Sequence, residues 1–490
     1  MPFSLASEDW KGEGMPVSRR TILLAGGAVA AGSVAIPAEQ YIDWSGRDFT
    51  RPDYQPDYPE APEGEDSWMN WSGVQRATPE AISLPASEDE LSELIAGTTT
   101  RMRPYGSGHS FVGLAPSEGV MVDVSRLTGL KSLDETTGHA VFGAGTRLFQ
   151  MATELAEVGR ALPNLPDIDV QTLAGSFSTA THGTGETLTA LHDHIAGFRL
   201  VTATGDVMDV TPERHPDLFA AGRVSLGALG VISQYTLKTV PSFNLHRRLW
   251  VEPIDELIAR AEELAGTHRN FEFFYFPHTG YGAAISHDLH EGPVTGRGDD
   301  IDDETLDQLK MLRNQFGWAP WLRRKIVGAA LPKGTIEDFS DSSYKLLSTT
   351  RPTKFNEMEY HLPRENGIKG LREVIAQLET HKDVFFPIEV RFIAPDDAWL
   401  SPFNAGPRIS VAIHAAVDER YDYFFSEIEP IHRANGGRPH WGKHHSLGKA
   451  ELSGLYPKFD DFLALRRELD PAGKFLNPYL GYLFGEPFND

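Results

Sequence analysis

Arg101-Met-Arg-Pro-Tyr-Gly-Ser-Gly-His-Ser-Phe111 is the stretch on which the reading of this chain turns. An extended segment ending at Pro104 runs into a loop of small residues, where Gly106 and Gly108 allow a tight turn with no Cβ in the way. Such a loop points successive backbone N–H groups at an anion, and a diphosphate fits best. Tyr105, Ser107 and Ser110 frame it, and His109 sits inside it. Taken alone, the same residues suit a plain glycine turn between two strands. The pattern is not a nicotinamide-dinucleotide fingerprint, because Phe111 stands where a third glycine is needed and no clear βαβ unit follows.

Three later stretches give the loop company. Gly175-Ser176 leads into Ser178-Thr-Ala-Thr-His182-Gly-Thr-Gly185, whose small side chains permit close approach and whose hydroxyls donate to phosphate. In Ile388-Glu-Val-Arg391 the two charges alternate on a strand and face one side. Flanked by Phe385, Phe386, Phe392 and Ile393, they are costly there unless paired or used. His440-Trp-Gly-Lys443 lies in Gly437 to His444, which nearly has phosphate-loop spacing but lacks Ser or Thr after the lysine. His440 and His444 are spaced like a metal pair, yet no Glu follows His440 and no third ligand is evident, so no metal is expected.

These four stretches, in this order, resemble the FAD-linked oxidases of the vanillyl-alcohol oxidase family, closest to the group that oxidises aldonolactones and alditols. The resemblance implies an α+β, two-domain PCMH-type FAD-binding fold with an antiparallel-sheet-plus-helices substrate domain. It implies FAD contacts at Tyr105, Gly106, Ser107, Gly108, His109, Ser110, Gly175, Ser176, Thr181, His182 and Gly183, with adenine held near Val231. It also implies a covalent bond from His109 to the flavin 8α-methyl, which raises the flavin's potential. Glu389 then grips substrate hydroxyls, Arg391 stabilises the anionic reduced flavin, and His414 lies on the substrate side. Lys443 sits near the reacting carbon, and Lys443 or Glu389 takes the hydroxyl proton. The alditol group expects a Thr two residues after His414, and Ala416 stands there. An aldono-1,4-lactone is therefore the expected substrate, with a polyol next. The electron acceptor is O2 or another carrier, and Ala180 is a candidate for controlling oxygen access. A flavin- or sugar-binding protein without turnover is the competing class, but it would not need Glu389, Arg391 and Lys443 together.

Composition agrees. The 490 residues are 40% hydrophobic with a net charge of −24, enough for two cores and unsuited to nucleic acid or an anionic membrane surface. The absence of cysteine excludes disulfides, thiolate catalysis and iron–sulfur clusters. Ser18-Arg19-Arg20 before an Ala- and Gly-rich apolar run to Pro37 looks like a twin-arginine export signal, too short to span a bilayer stably. It predicts a periplasmic or extracellular protein, or a cytoplasmic one if the signal is unused.

The expected organisation is a signal over 1–40, a Pro-rich acidic linker or wrapped arm over 41–69, and an FAD domain over 70–241. A substrate domain over 242–465 and a strip over 466–490 returning to the FAD domain complete it. Ser87 is a helix-cap candidate, with Leu91, Leu94 and Ile95 as the apolar face. Thr146 to Val158 reads as an amphipathic helix, and Ala203-Thr-Gly-Asp206 as a hairpin turn. Strands are expected at 271–276, 356–362, 385–393 and 408–415, and a mobile surface loop at 288–307.

Overall fold

Val120-Met-Val-Asp123 forms β3, the middle of a three-stranded parallel sheet between β1 (Ala81–Ser83) and β2 (Met102–Tyr105). Val120, Met121 and Val122 are all buried, as a strand covered on both faces requires. The crossover from β1 to β2 is the helix Glu88–Gly97. Ser87 Oγ accepts from the Glu90 N–H at 3.1 Å, and the Glu90 carboxylate accepts from the Ala86 N–H at 2.7 Å. Leu91 and Ile95 are buried beneath it, as the spacing predicts. A strand–helix–strand unit thus leads into the Gly106 loop, and the loop runs on to β3, parallel to β2, with no helix between them.

The computed structural model describes residues 38–55, 67–298, 302–331, 334–349 and 352–487; the export signal expected over 1–40 lies outside them apart from its last three residues. A second sheet is antiparallel, in the order β7-β6-β8-β5-β4. Its strands are β4 (Leu130–Asp134), β5 (His139–Gly143), β6 (Ile195–Val201), β7 (Val207–Val210) and β8 (Val231–Lys238). The hairpin expected around Gly205 is the β6–β7 pair. The helix expected at 146–158 runs Leu148–Glu157, with Leu148, Met151 and Leu155 buried.

The chain then enters an eight-stranded, wholly antiparallel sheet in the order β12-β9-β11-β10-β14-β15-β13-β16. In chain order these are β9 (Asn244–Pro253), β10 (Asn270–Phe276), β11 (Tyr281–His290), β12 (Thr335–Ser342), β13 (Phe355–Pro363), β14 (Ile388–Ile393), β15 (Arg408–Ala416) and β16 (Arg438–Pro439). β14 begins three residues later than expected, since Pro387 has no N–H to give a ladder. The helices Ile254–Thr267 and Arg364–Leu378 pack on the sheet through Leu257, Ala261, Leu371 and Val374, so the opposite face is left for polar side chains.

Two expectations are corrected. The surface loop expected at 288–307 is overtaken at both ends, by β11 to His290 and by the helix Asp302–Phe316. Asp303 and Glu304 put negative charge in that helix's first turn, and Leu306, Leu309 and Leu312 give it an inward face. In the linker, Ala38–Ser45 is helical and anchored by the buried Trp44 rather than by a repeating apolar stripe. Near the C-terminus, Met102 N–H donates to Lys474 O at 2.8 Å, and Arg103 Nη1 donates to Phe475 O at 2.7 Å.

Candidate active site

The Gly106 loop is built against a helix cap. Thr172 Oγ1 caps Leu173–Ser178 by accepting from the Gly175 N–H at 3.2 Å, and a Cβ on Gly106 would run into that same oxygen. Gly108 lies at φ +67° and lets its carbonyl accept from the Trp71 N–H at 2.8 Å. Arg103, buried at the base of β2, donates to the carbonyls of Leu114, Leu226, Gly227 and Phe475 and so ties the opposite rim in place. Between these walls runs an open cleft whose space, counted out into solvent, is about 1050 Å³.

Tyr105, Gly106, Ser107, Gly108, His109, Ser110, Gly175, Thr181 and Val231 all line this cleft. Lys443, Gly442 and His440 close its end against the eight-stranded sheet. Small and hydroxylated side chains on one wall and glycines at φ +64° (Gly227) and +146° (Gly230) on the other leave backbone within reach of a long, flat, phosphate-bearing ligand. The chain therefore fits FAD.

Ser176, His182, Gly183 and Ala180 stand behind that wall. Ser176 Oγ donates to Leu173 O at 3.1 Å. Ala180 is buried at φ +61°. His182 is buried, with Nδ1 at 2.8 Å from Gly183 O and Nε2 at 2.9 Å from Glu359 Oε1.

His109 stacks on Trp71 (centroids 5.1 Å apart, planes 24° apart). Burial, reinforced by Lys443 and Arg147, holds its pKa down at about 4, so its ring is neutral at pH 7. His440 is likewise held at about 3, chiefly by burial.

The substrate-side residues come together through register. Glu272 on β10 opposes Arg391 on β14, Arg391 opposes Ser410 on β15, and Ser410 opposes His361 on β13. The adjacent rows set Glu389 opposite Ala412, Ala412 opposite Glu359, and His414 opposite Glu357. One sheet face therefore carries a buried polar belt. Arg391 is clamped between Glu272 (2.9 Å) and Glu389; burial alone would lower its pKa, but these carboxylates raise it. Lys443 forms an ion pair with Glu357, and His414 Nε2 lies 3.6 Å from the same carboxylate. Burial works against ionising Glu357, yet Lys443 and His414 outweigh it and hold its pKa at about 2.

Glu357, Glu389 and His414 place three ligand-type atoms within 4.8 Å of one another, as do His182, Glu359 and His361. In the first set Lys443 and Arg391 already supply the positive charge a metal would bring. In the second, Glu359 is engaged by His182 and Ser410.

Sequence reasoning brought Glu389, Arg391, His414 and Lys443 to this face but missed Glu272, Glu357, Glu359 and His361. The signal was present: Phe355-Asn-Glu-Met-Glu-Tyr-His-Leu362 alternates charge with apolar residues just as Ile388 to Arg391 does.

Comparison with known proteins agrees with this geometry. Residues 79–211 match the family described as FAD binding domain, and residues 235–483 match the D-arabinono-1,4-lactone oxidase family. The L-gulono-1,4-lactone dehydrogenase of Mycobacterium tuberculosis is 37% identical over 85% of this chain and 99% of its own length. The alditol oxidase of a Streptomyces species is 30% identical over 84% of this chain and 97% of its own. A solved solvent-stable cholesterol oxidase superposes with a TM-score of 0.71 at 19% identity, over 86% of this chain and 97% of its own; it shares the fold.

Cleft, belt and relatives together define an FAD-dependent oxidoreductase acting on CH–OH donors. The chain belongs to the D-arabinono-1,4-lactone oxidase family, and the resemblance read from its four stretches holds.

Proposed function

We propose that this protein oxidises a hydroxyl-bearing carbon of an aldono-1,4-lactone of the D-arabinono or L-gulono type. The observation that carries the reading is the convergence of Glu357, Glu389 and His414 beside the fixed cations Arg391 and Lys443, where the belt meets the cleft. That spacing suits neighbouring hydroxyls of one sugar. Lys443, oriented by Glu357, donates to the substrate oxygen, and Glu389 accepts the hydroxyl hydrogen and takes the proton as the C–H bond breaks. Arg391 supplies positive charge where negative charge develops. FAD, when bound, supplies the hydride acceptor.

We take residues 70–241 as the FAD-holding unit and 242–465 as the substrate unit. Ser107, Ser110, Thr172 and Thr181 are the hydroxyls offered to FAD. The neutral His109 ring, held on the cleft wall by Trp71, is the residue that would carry a covalent bond to the flavin 8α-methyl. Acid precipitation tests this: yellow protein in the pellet supports the bond, and colour left in the supernatant rejects it.

Anaerobic addition of a sugar panel tests the reaction. Bleaching by gulono- or arabinono-1,4-lactone is the expected result, and yellow that no lactone bleaches overturns it. A polyol substrate is favoured by His414 and by the alditol oxidase relative; Ala416, in place of the Thr expected of that group, argues for the lactone, and xylitol in the panel separates the two. Reoxidation in air against an added dye distinguishes O2 from another carrier. Residues 18–37 are proposed to direct twin-arginine export, and loss of export of a reporter fusion on Arg19→Lys/Arg20→Lys is the expected result.

A further inference from the structure

The N-terminal arm precedes both family matches, the earlier of which begins at residue 79, yet it packs against the helix Asp302–Phe316 and the turn that follows β15. Trp44 is buried, its indole N–H donates to Arg313 O at 3.1 Å, and it fills the notch left by Gly317, where any Cβ would overlap the indole. Phe49 lies 3.9 Å below the Arg313 guanidinium and Phe385 lies 4.8 Å away, while Arg313 grips Glu419 with two hydrogen bonds of 3.0 and 2.6 Å. Thr50 pairs with Glu419 as an antiparallel bridge. The Arg51 N–H donates to Asp418 O at 2.7 Å and its guanidinium to Val417 O at 3.2 Å. The arm therefore extends the chain just beyond β15, the strand that carries His414.

Between arm and sheet lies a second cleft of about 650 Å³. Arg47, Asp48 and Thr50 form one side, and Phe386, His414 and Ala416 form the other. His414 belongs to both neighbourhoods: its ring faces Glu357 in the belt and it lines this cleft. The remaining wall is polar and mixed in sign, with Asp383 and Arg420 among it, a lining suited to a neutral, hydroxyl-rich molecule rather than to an ion or an apolar chain.

We propose that this cleft is the outer subsite for the substrate, and that Arg47 to Thr50 select substrates by the length of the hydroxylated chain carried on the reacting ring. The inference rests on the lactone reading. The ring sits against Glu389 and His414, and the chain beyond it runs past Ala416 toward the arm.

The test is Thr50→Trp, which fills the cleft from the arm side, assayed with the six-carbon gulono- and the five-carbon arabinono-1,4-lactone. KM for the six-carbon lactone is expected to rise about tenfold, one lost contact of roughly 1.4 kcal/mol, with KM for the five-carbon lactone changing far less. A variant that merely loosens the fold moves both alike, so the ratio of the two KM values is the readout. An unchanged ratio in an enzyme that oxidises both lactones overturns the inference alone. A wild type that oxidises neither overturns the lactone reading and this inference with it. If T50W loses flavin, Thr50→Leu makes the same comparison with a smaller graft. Ile42→Ser, on the solvent side of the arm, serves as the control and leaves both KM values unchanged.

Discussion

At the residue scale, the pair Lys443–Glu357 decides how the site works. Lys443 faces the cleft, while Glu357 is buried behind it, so the carboxylate acts on the substrate through the lysine. Lys443→Met should cut kcat/KM by about 10²–10³, the cost of losing one preorganised donor, while leaving the flavin spectrum intact. Glu357→Gln should cost less, and the double variant should lose less than the sum, because both residues act through one contact. A carboxylate depressed to about 2 contributes its stabilisation above the unfolded value near 4.5 and loses it only as pH falls through 2. The E357Q penalty is therefore expected to stay constant from pH 5 to 9, and a penalty that disappears below pH 6 would contradict the assignment. His109 depends on Trp71 for its orientation, since among the described residues none hydrogen-bonds to its ring nitrogens and stacking holds the ring. Trp71→Leu should bind FAD yet retain less of it after acid precipitation than wild type.

At the element scale, β13 shows what was legible in the sequence and what was not. Helix Glu88–Gly97 with its Ser87 cap, helix Leu148–Glu157 and the β6–β7 hairpin were readable because each is set by residues a few positions apart. β13 was readable as a strand, but its polar face acquires meaning only from the register with β15, β14 and β10, which joins residues scattered between Glu272 and His414. The flavin wall divides in the same way: glycines and hydroxyls at Gly106 and Thr181 announce a ligand, whereas His182 points back to Glu359, a partner 177 positions away. Glu359 is thus a structural tie between the flavin wall and the belt. Burial opposes its ionisation, but His182 above all holds its carboxyl well below the usual range. Glu359→Ala strands His182 and Ser410 and should cost about 3–5 kcal/mol, read as a lower urea midpoint. Glu359→Gln keeps one acceptor and should recover part of that loss.

At the scale of the whole molecule, histidines buried without charge make the fold sensitive to acid. His432, His440 and His445 are buried and held at about 3, each chiefly by burial. Their folded pKa lies below the unfolded value near 6.5, so between those limits the unfolded chain binds protons that the native one refuses. Stability then falls as pH falls. At pH 5 each contributes about 2 kcal/mol of destabilisation, 1.5 pH units at 1.36 kcal/mol each. The three together reach about 6 kcal/mol, comparable with the roughly 5–15 kcal/mol that holds a protein folded. His109 and His444, held at about 4, act in the same direction. The holoenzyme is expected to melt about 10 °C or more lower at pH 5 than at pH 7.5, since each kcal/mol moves Tm by roughly 2 °C in a chain of this size. His432 isolates the cause, because it touches neither cleft nor belt. It stacks on Tyr360 with centroids 4.9 Å apart and planes within 7°, and among the described residues neither ring nitrogen has a hydrogen-bond partner. His432→Phe preserves the stack and removes the titration. It should shrink the loss of stability between pH 7.5 and pH 5 by about 2 kcal/mol, one histidine's share. An H432F enzyme as acid-labile as wild type would place the sensitivity in the carboxylates instead.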